Sequence, residues 1–173
     1  VRVLIADHGC ILEPQVQAHA PAMFAVLSDP AIYEFEGEPP PSVEALAAGY
    51  QRKESRQSPD GSQVWLNWVV RLREGELTGY VQATVMQDGY SYVGYEFSSR
   101  YWRRGIATAA LRAVLQELAD RYSVHHAVAV LKAANYRSLA LLQKLGFAPV
   151  PPEASARFQP EADEIVLLLD CGQ

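Results

Sequence analysis

A chain of 173 residues and 19.1 kDa is long enough for one domain with a sizeable core, and 49% hydrophobic against 20% charged residues separates it from disordered and fibrous sequences. A net charge of -5 and a pI near 5.4 argue against a basic nucleic-acid surface and suit a cationic or amine-bearing partner. No apolar run is long enough to cross a bilayer and the N-terminus lacks the order of a signal peptide, so the expectation is a cytoplasmic protein with no membrane partner.

In chain order, CILEP at 10–14 reads as a short strand, and QVQAHAPAMFAVLSD after it as a helix that Pro21 is expected to bend or divide. DPAIYEFEGEPPPS is a loop or frayed helix ending in a serine, Ser42, suited to cap VEALAAGYQRKESRQ. After the turn SPDGS come three strand-like runs, QVWLNWVVRL, LTGYVQATVM and GYSYVGYEF, separated by hairpin-type loops, which predicts an antiparallel meander. Alternation puts Trp65 and Asn67 on one face and Trp68 on the other.

GIATAALRAVLQELADRY then carries Leu111, Val114, Leu115, Leu118 and Tyr122 at helical spacing, an amphipathic helix for a sheet. HHAVAVL is a strand, NYRSLALLQKLGF a helix stopped at Gly146, and EIVLLLD a late strand. His125 and His126 should face opposite ways, and Cys10 and Cys171 give neither a disulfide framework nor metal-ligand spacing, so no metal site is expected. The order predicts a single α+β domain over residues 1–173. Its oligomeric state is open, because EIVLLLD is equally suited to a central strand and to a homodimer edge.

Two stretches carry chemistry. In YWRRGIATAAL, Gly105 sits between strand and helix, so the amides of Arg103 to Thr108 are loop donors or free first-turn donors, a cradle for phosphate oxygens. Arg103 and Arg104 add charge, and small Ala107 leaves room; the plainer alternative is a simple turn with solvated arginines. In NYRSLALLQKLGF, Asn135 caps a helix with Ser138 three residues on. If the strands before the two helices are parallel neighbours, both helix N-termini open on one sheet edge.

These two stretches resemble the acetyl-CoA-binding half of the GNAT N-acetyltransferase superfamily. With ILEPQVQAHAPAMFAVLSDPAIYEFEG, the whole chain is most similar to the branch that acetylates ribosomal-protein N-termini. The resemblance implies a mixed central sheet flanked by helices and acetyl-CoA as acetyl donor. It lays the pyrophosphate on Trp102, Arg103, Arg104, Gly105, Ile106, Ala107 and Thr108. It brings Asn135 and Ser138 to the pantetheine arm or thioester, and it splays GYEF from HHAVAVL so that backbone groups of Phe97 and Ser98 face the pantetheine.

Acetyl transfer to an amine needs removal of the amine's proton and benefits from a donor to the departing thiolate. Glu96 is the candidate base by analogy, with a solvated strand residue as the alternative. The family's frequent tyrosine acid is replaced by Leu142, which leaves Ser138 as the branch's substitute and Tyr136 or Tyr92 as further donors. Tyr33, Glu34, Phe35, Glu36 and one tryptophan are expected near the acceptor, and VPPEASARFQPEADE as a loop over it or an ordinary connection. The expected function is transfer of acetyl to a protein N-terminus or small-molecule amine. An aminoglycoside-type drug acetyltransferase and a non-catalytic acyl-CoA-binding module are the alternatives.

Overall fold

The computed structural model describes residues 3–5 and 9–172. Eight strands form one sheet in the order β1-β2-β3-β4-β5-β6-β8-β7: β1 Val3–Ile5, β2 Cys10–Pro14, β3 Gln63–Leu72, β4 Leu77–Met86, β5 Tyr90–Phe97, β6 His126–Lys132, β7 Ala148–Pro149 and β8 Glu164–Asp170. β3, β4 and β5 are the expected antiparallel meander, while β5 and β6 run parallel across the connection through α3 (Ile106–Tyr122). The sheet is therefore mixed. Sequence periodicity missed β1 and β7, which are three and two residues long, too short to show alternation.

Alternation along the strands divides the core in two. On one face Leu12, Leu66, Trp68, Val70, Val81, Ala83 and Phe97 pack with Leu111, Val114, Leu115 and Leu118 of α3, and with Leu142 of α4 (Tyr136–Lys144). On the other face Val69, Leu77 and Tyr80 meet Ala20, Met23 and Leu27 of α1 (Ala20–Leu27) and Tyr50 of α2 (Val43–Lys53). Each fully buried Leu or Val contributes about 1.5–3 kcal/mol over its exposed state.

Pro21 neither bends nor divides a helix. It occupies the first turn of α1, where its missing N–H has no intrahelical partner to lose, and the residues before it form a separate 3-10 turn at Gln17–His19. Ser42 caps α2 as expected, its side chain accepting from the Ala45 N–H at 3.1 Å. α2 stops at Lys53, earlier than its sequence pattern suggested. Strand β8 lies between β6 and β7, so EIVLLLD is an interior strand of the chain's own sheet. The late loop folds into a short helix α5 (Pro152–Ser155) and a 3-10 turn at Ala156–Phe158.

Candidate active site

Strands β5 and β6 pair only at Tyr90–His126, Ser91–Ala127 and Tyr92–Val128. Beyond them the two part, while β6 stays bonded to β8 along its whole length. The result is a wedge-shaped opening in the middle of the sheet between residues 93–97 and 129–132. Because the Ser98 N–H donates to Thr78 on β4 at 3.0 Å, strand alternation turns the backbone of Phe97 the other way, into this opening.

At the mouth of the opening, a 3-10 turn at Ser99–Tyr101 leads to Arg103 in the left-handed region (φ 59°) and to Gly105 (φ 78°) as N-cap of α3. Glycine adopts that conformation without steric cost, and it supplies no capping side chain. The first helical bond is from the Ala109 N–H to the Gly105 carbonyl. Among the described residues, the amides of 103–108 donate to nothing. A run of free N–H groups at the N-terminus of a 17-residue helix is an anion cradle. Arg103 and Arg104 are both exposed beside it, with the Arg104 guanidinium 5.7 Å from the Tyr101 ring centroid.

Trp102 has a different part. Its indole N–H donates to the Phe97 carbonyl at 2.7 Å, and the Arg137 guanidinium stands over its ring at 4.6 Å. The Phe97 carbonyl and the Ser98 N–H, expected to face the pantetheine, therefore each have a partner within the chain. The Phe97 N–H is the group of this pair left toward the wedge. The end of β5 is held by Asp29, which accepts from the Ser98 hydroxyl at 3.0 Å and the Ser99 N–H at 2.6 Å. Desolvation raises the Asp29 pKa, but the hydrogen bonds from Ser99, Ala31 and Ser98 outweigh it and hold the carboxyl below its usual range.

Across the wedge, Asn135 is the N-cap of α4, its Oδ1 accepting from the Ser138 N–H at 3.1 Å. The Tyr95 hydroxyl is buried without a hydrogen-bond partner among the described residues, and the Ser138 side chain is near enough to influence it. Burial pushes the Tyr95 phenol up to about 12, with Ser138 pulling the other way. Sequence reasoning missed Tyr95. Its parity, opposite to Glu96, was legible, but nothing local showed that α4 would deliver a serine to it.

Glu96 is not a solvated strand residue. It faces the α1/α2 side of β5, opposite Tyr80 in register, with the Tyr33 hydroxyl 3.5 Å from its Oε2. Desolvation raises its pKa above the usual carboxylate range, and the Tyr80 and Tyr33 hydroxyls and Lys53 hold back part of the shift. Loop residues 33–36 cross between the two sides: Tyr33 meets Glu96, Glu34 ion-pairs with Arg137, and Phe35 meets Tyr136 edge to face at 5.7 Å. Tyr136 is 60% exposed at this rim, and Tyr92 packs on Phe158 of the late loop. Trp65 and Asn67 are half-buried on the α2 face, and Trp68 is in the core, 3% exposed.

The chain matches the acetyltransferase (GNAT) domain family over residues 10–148. No curated protein is a significant sequence match. Among solved structures, it is similar to RimL, a ribosomal alpha-N-protein acetyltransferase, in complex with coenzyme A: TM-score 0.78, 15% identity, covering 94% of each chain. The microcin self-immunity acetyltransferase MccE, in complex with acetyl-CoA and AMP, is similar at TM-score 0.77 and 15% identity over 96% of this chain and 94% of that one. A GNAT-family acetyltransferase from Bacillus anthracis is similar at TM-score 0.74 and 16% identity over 95% and 96%.

Proposed function

The chain belongs to the acetyltransferase (GNAT) family, and on that premise we propose that it transfers an acetyl group from acetyl-CoA to a primary amine, on a protein N-terminus or a small molecule. The observation that carries the reading is the run of unpartnered amides at 103–108, set at the mouth of the β5–β6 wedge with Glu96 on the adjoining sheet face.

Acetyl-CoA supplies the activated acetyl group as a thioester. The amides of 103–108, with Arg103 and Arg104, hold its diphosphate, and the Phe97 N–H and the N-terminal turn of α4 at Asn135 and Ser138 line the path of its arm. Glu96 takes the proton that an ammonium acceptor must lose. Its raised pKa, caused by desolvation, suits that task, because a more basic carboxylate is a better proton acceptor. Ser138, beside Tyr95, is the proton donor for the departing thiolate.

The similarity to RimL supports a protein N-terminus as acceptor, and a small-molecule amine is the second reading. Neither the wedge nor Glu96 distinguishes them. Release of free CoA in the presence of N-terminal peptides, amino acids, polyamines and aminoglycosides, with the product's mass gain, tests the reading; tight acetyl-CoA binding with no release across the panel favours a binding module instead.

A further inference from the structure

We propose that the acceptor is an amine that also carries an anionic group, and that a cleft beneath the C-terminal end of α2 recognises that group. The assignment rests on the acetyl-transfer reading above. The cleft has a volume of about 750 Å³ and lies between the last turn of α2, the segment after it, and the exposed part of the β3–β4 face. It adjoins Glu96 through the strand register. Val69, Tyr80 and Glu96 form one cross-strand row; Asn67, Gln82 and Gly94 form the next; Trp65, Thr84 and Tyr92 form the third.

The first row is covered by α1, whereas Asn67 and Gln82 of the second and Trp65 and Thr84 of the third floor the cleft. Same-face neighbours along a strand are roughly 7 Å apart, so the polar floor begins one such step from Glu96. Gly94 contributes no side chain there, and a Cβ at that position would come within 3.1 Å of Gln82 Nε2. Gln82 therefore lies flat over the glycine.

Charge identifies what the cleft accepts. In a chain of net charge -5, its lining contains two cations, Arg52 and Lys53, and no carboxylate. Among the described residues, the Arg52 guanidinium has no hydrogen bond or ion pair; the Lys53 ammonium has one hydrogen bond, 3.4 Å to Gln82 Oε1, and is attracted by Glu96 from beyond hydrogen-bond reach, while desolvation lowers its pKa. Elsewhere Lys132, Arg71 and Arg137 are each paired with carboxylates. Asp60, in the turn beyond the cleft, is held by the hydroxyls of Ser58 and Ser62. Trp65 spends its N–H on Gln63 at 3.0 Å, which leaves its ring as the apolar part of the wall.

An amine at Glu96 with a carboxylate or phosphate about 7–14 Å away, one or two same-face steps, meets both cations. A polyamine or aminoglycoside puts positive charge against them.

The test compares alanyl-glutamate with alanyl-glutamine amide as acceptors, in the wild type and in the Arg52→Gln, Lys53→Gln double variant. Alanyl-phosphoserine is the third acceptor and separates phosphate from carboxylate recognition. The wild type is expected to favour an anionic dipeptide by about tenfold in kcat/KM, and the double variant to bring that ratio to about one with acetyl-CoA affinity unchanged. Turnover with no preference for the anion, or a preference that survives the double substitution, overturns this inference and leaves acetyl transfer standing. Acetyl-CoA binding without turnover of any amine counts against acetyl transfer itself. Calorimetric binding of the same dipeptides then decides the cleft: charge-dependent binding lost in the double variant supports it, and its absence overturns it.

Discussion

The hydroxyl of Tyr33 stands 3.5 Å from Glu96 Oε2, joining the turn after α1 to the central strand of the sheet. Desolvation raises the Glu96 pKa, and hydroxyl donors lower it again by stabilising the ionised form. The one Tyr33 hydroxyl proton is shared between the Leu27 carbonyl at 2.9 Å and Glu96 at 3.5 Å, so removing it raises the Glu96 pKa by the share that reaches Glu96. With Glu96 as base, kcat/KM falls on the acid side as Glu96 protonates, and Tyr33→Phe is expected to move that limb to higher pH. Glu96→Gln is expected to lower kcat by about a hundredfold and to leave acetyl-CoA affinity unchanged. A wild-type pH profile and turnover in Glu96→Gln would remove Glu96 from the chemistry.

The same residue has a predictable effect on stability. A carboxyl whose folded pKa is raised above its unfolded value contributes stability that is full below the unfolded pKa and is lost as pH rises through the folded one. Once ionised, the desolvated Glu96 is thus a burden on the fold. Glu96→Gln is expected to raise Tm at pH 8 and to gain less at pH 4; thermal unfolding at the two pH values checks it.

Asp29 should behave oppositely. Its carboxyl is held below its usual range despite desolvation, so its contribution is present above the unfolded pKa and lost as pH falls through the folded one. It ties Ser98 and Ser99 to the turn after α1. Asp29→Ala is expected to cost about 1–3 kcal/mol at neutral pH by denaturant titration, with a smaller cost in acid. Loss of turnover should accompany it, because the end of β5 carries Glu96.

Gly105 is the residue that shapes the amide run. An L side chain at φ 78° costs about 1–2 kcal/mol and disfavours the turn that presents residues 103–108. Gly105→Val is expected to weaken acetyl-CoA binding by more than tenfold, and Arg103→Ala and Arg104→Ala by a few-fold each. Equilibrium binding measures all three. Wild-type constants in both arginine variants would take those side chains out of the diphosphate site.

Ser138→Ala should lower kcat about tenfold with acetyl-CoA affinity retained, and Tyr95→Phe should lower it less. Single-turnover kinetics separates the two effects from product release. If both variants turn over at the wild-type rate, the thiolate leaves without help from this pair.

Much of this arrangement was legible along the chain. The meander, α3 and the Asn135 cap follow from local rules of alternation, helical spacing and capping, and these held at the residues expected. Pro21 did not, because a proline at the seventh residue of a helical pattern beginning at Gln15 reads as a break unless the helix begins beside it. The partners of Glu96 were illegible: Tyr33 is 63 residues away, and only the packing of α1 and the turn after it brings it to β5. The use of the Phe97 carbonyl by Trp102 depends on a side-chain rotamer over a tight turn, which no periodicity reports. The cationic cleft was hidden for a related reason, since Arg52 and Lys53 read simply as the basic last turn of a helix until the register set Gln82 and Trp65 beneath them.

The most direct measurement is acetyl-CoA binding and free CoA release on the same preparation, with product mass followed for each amine offered. Release that depends on an amine, with one acetyl group gained per CoA freed, is the predicted result. Tight acetyl-CoA binding with no amine-dependent release and no acetylated product would contradict the account.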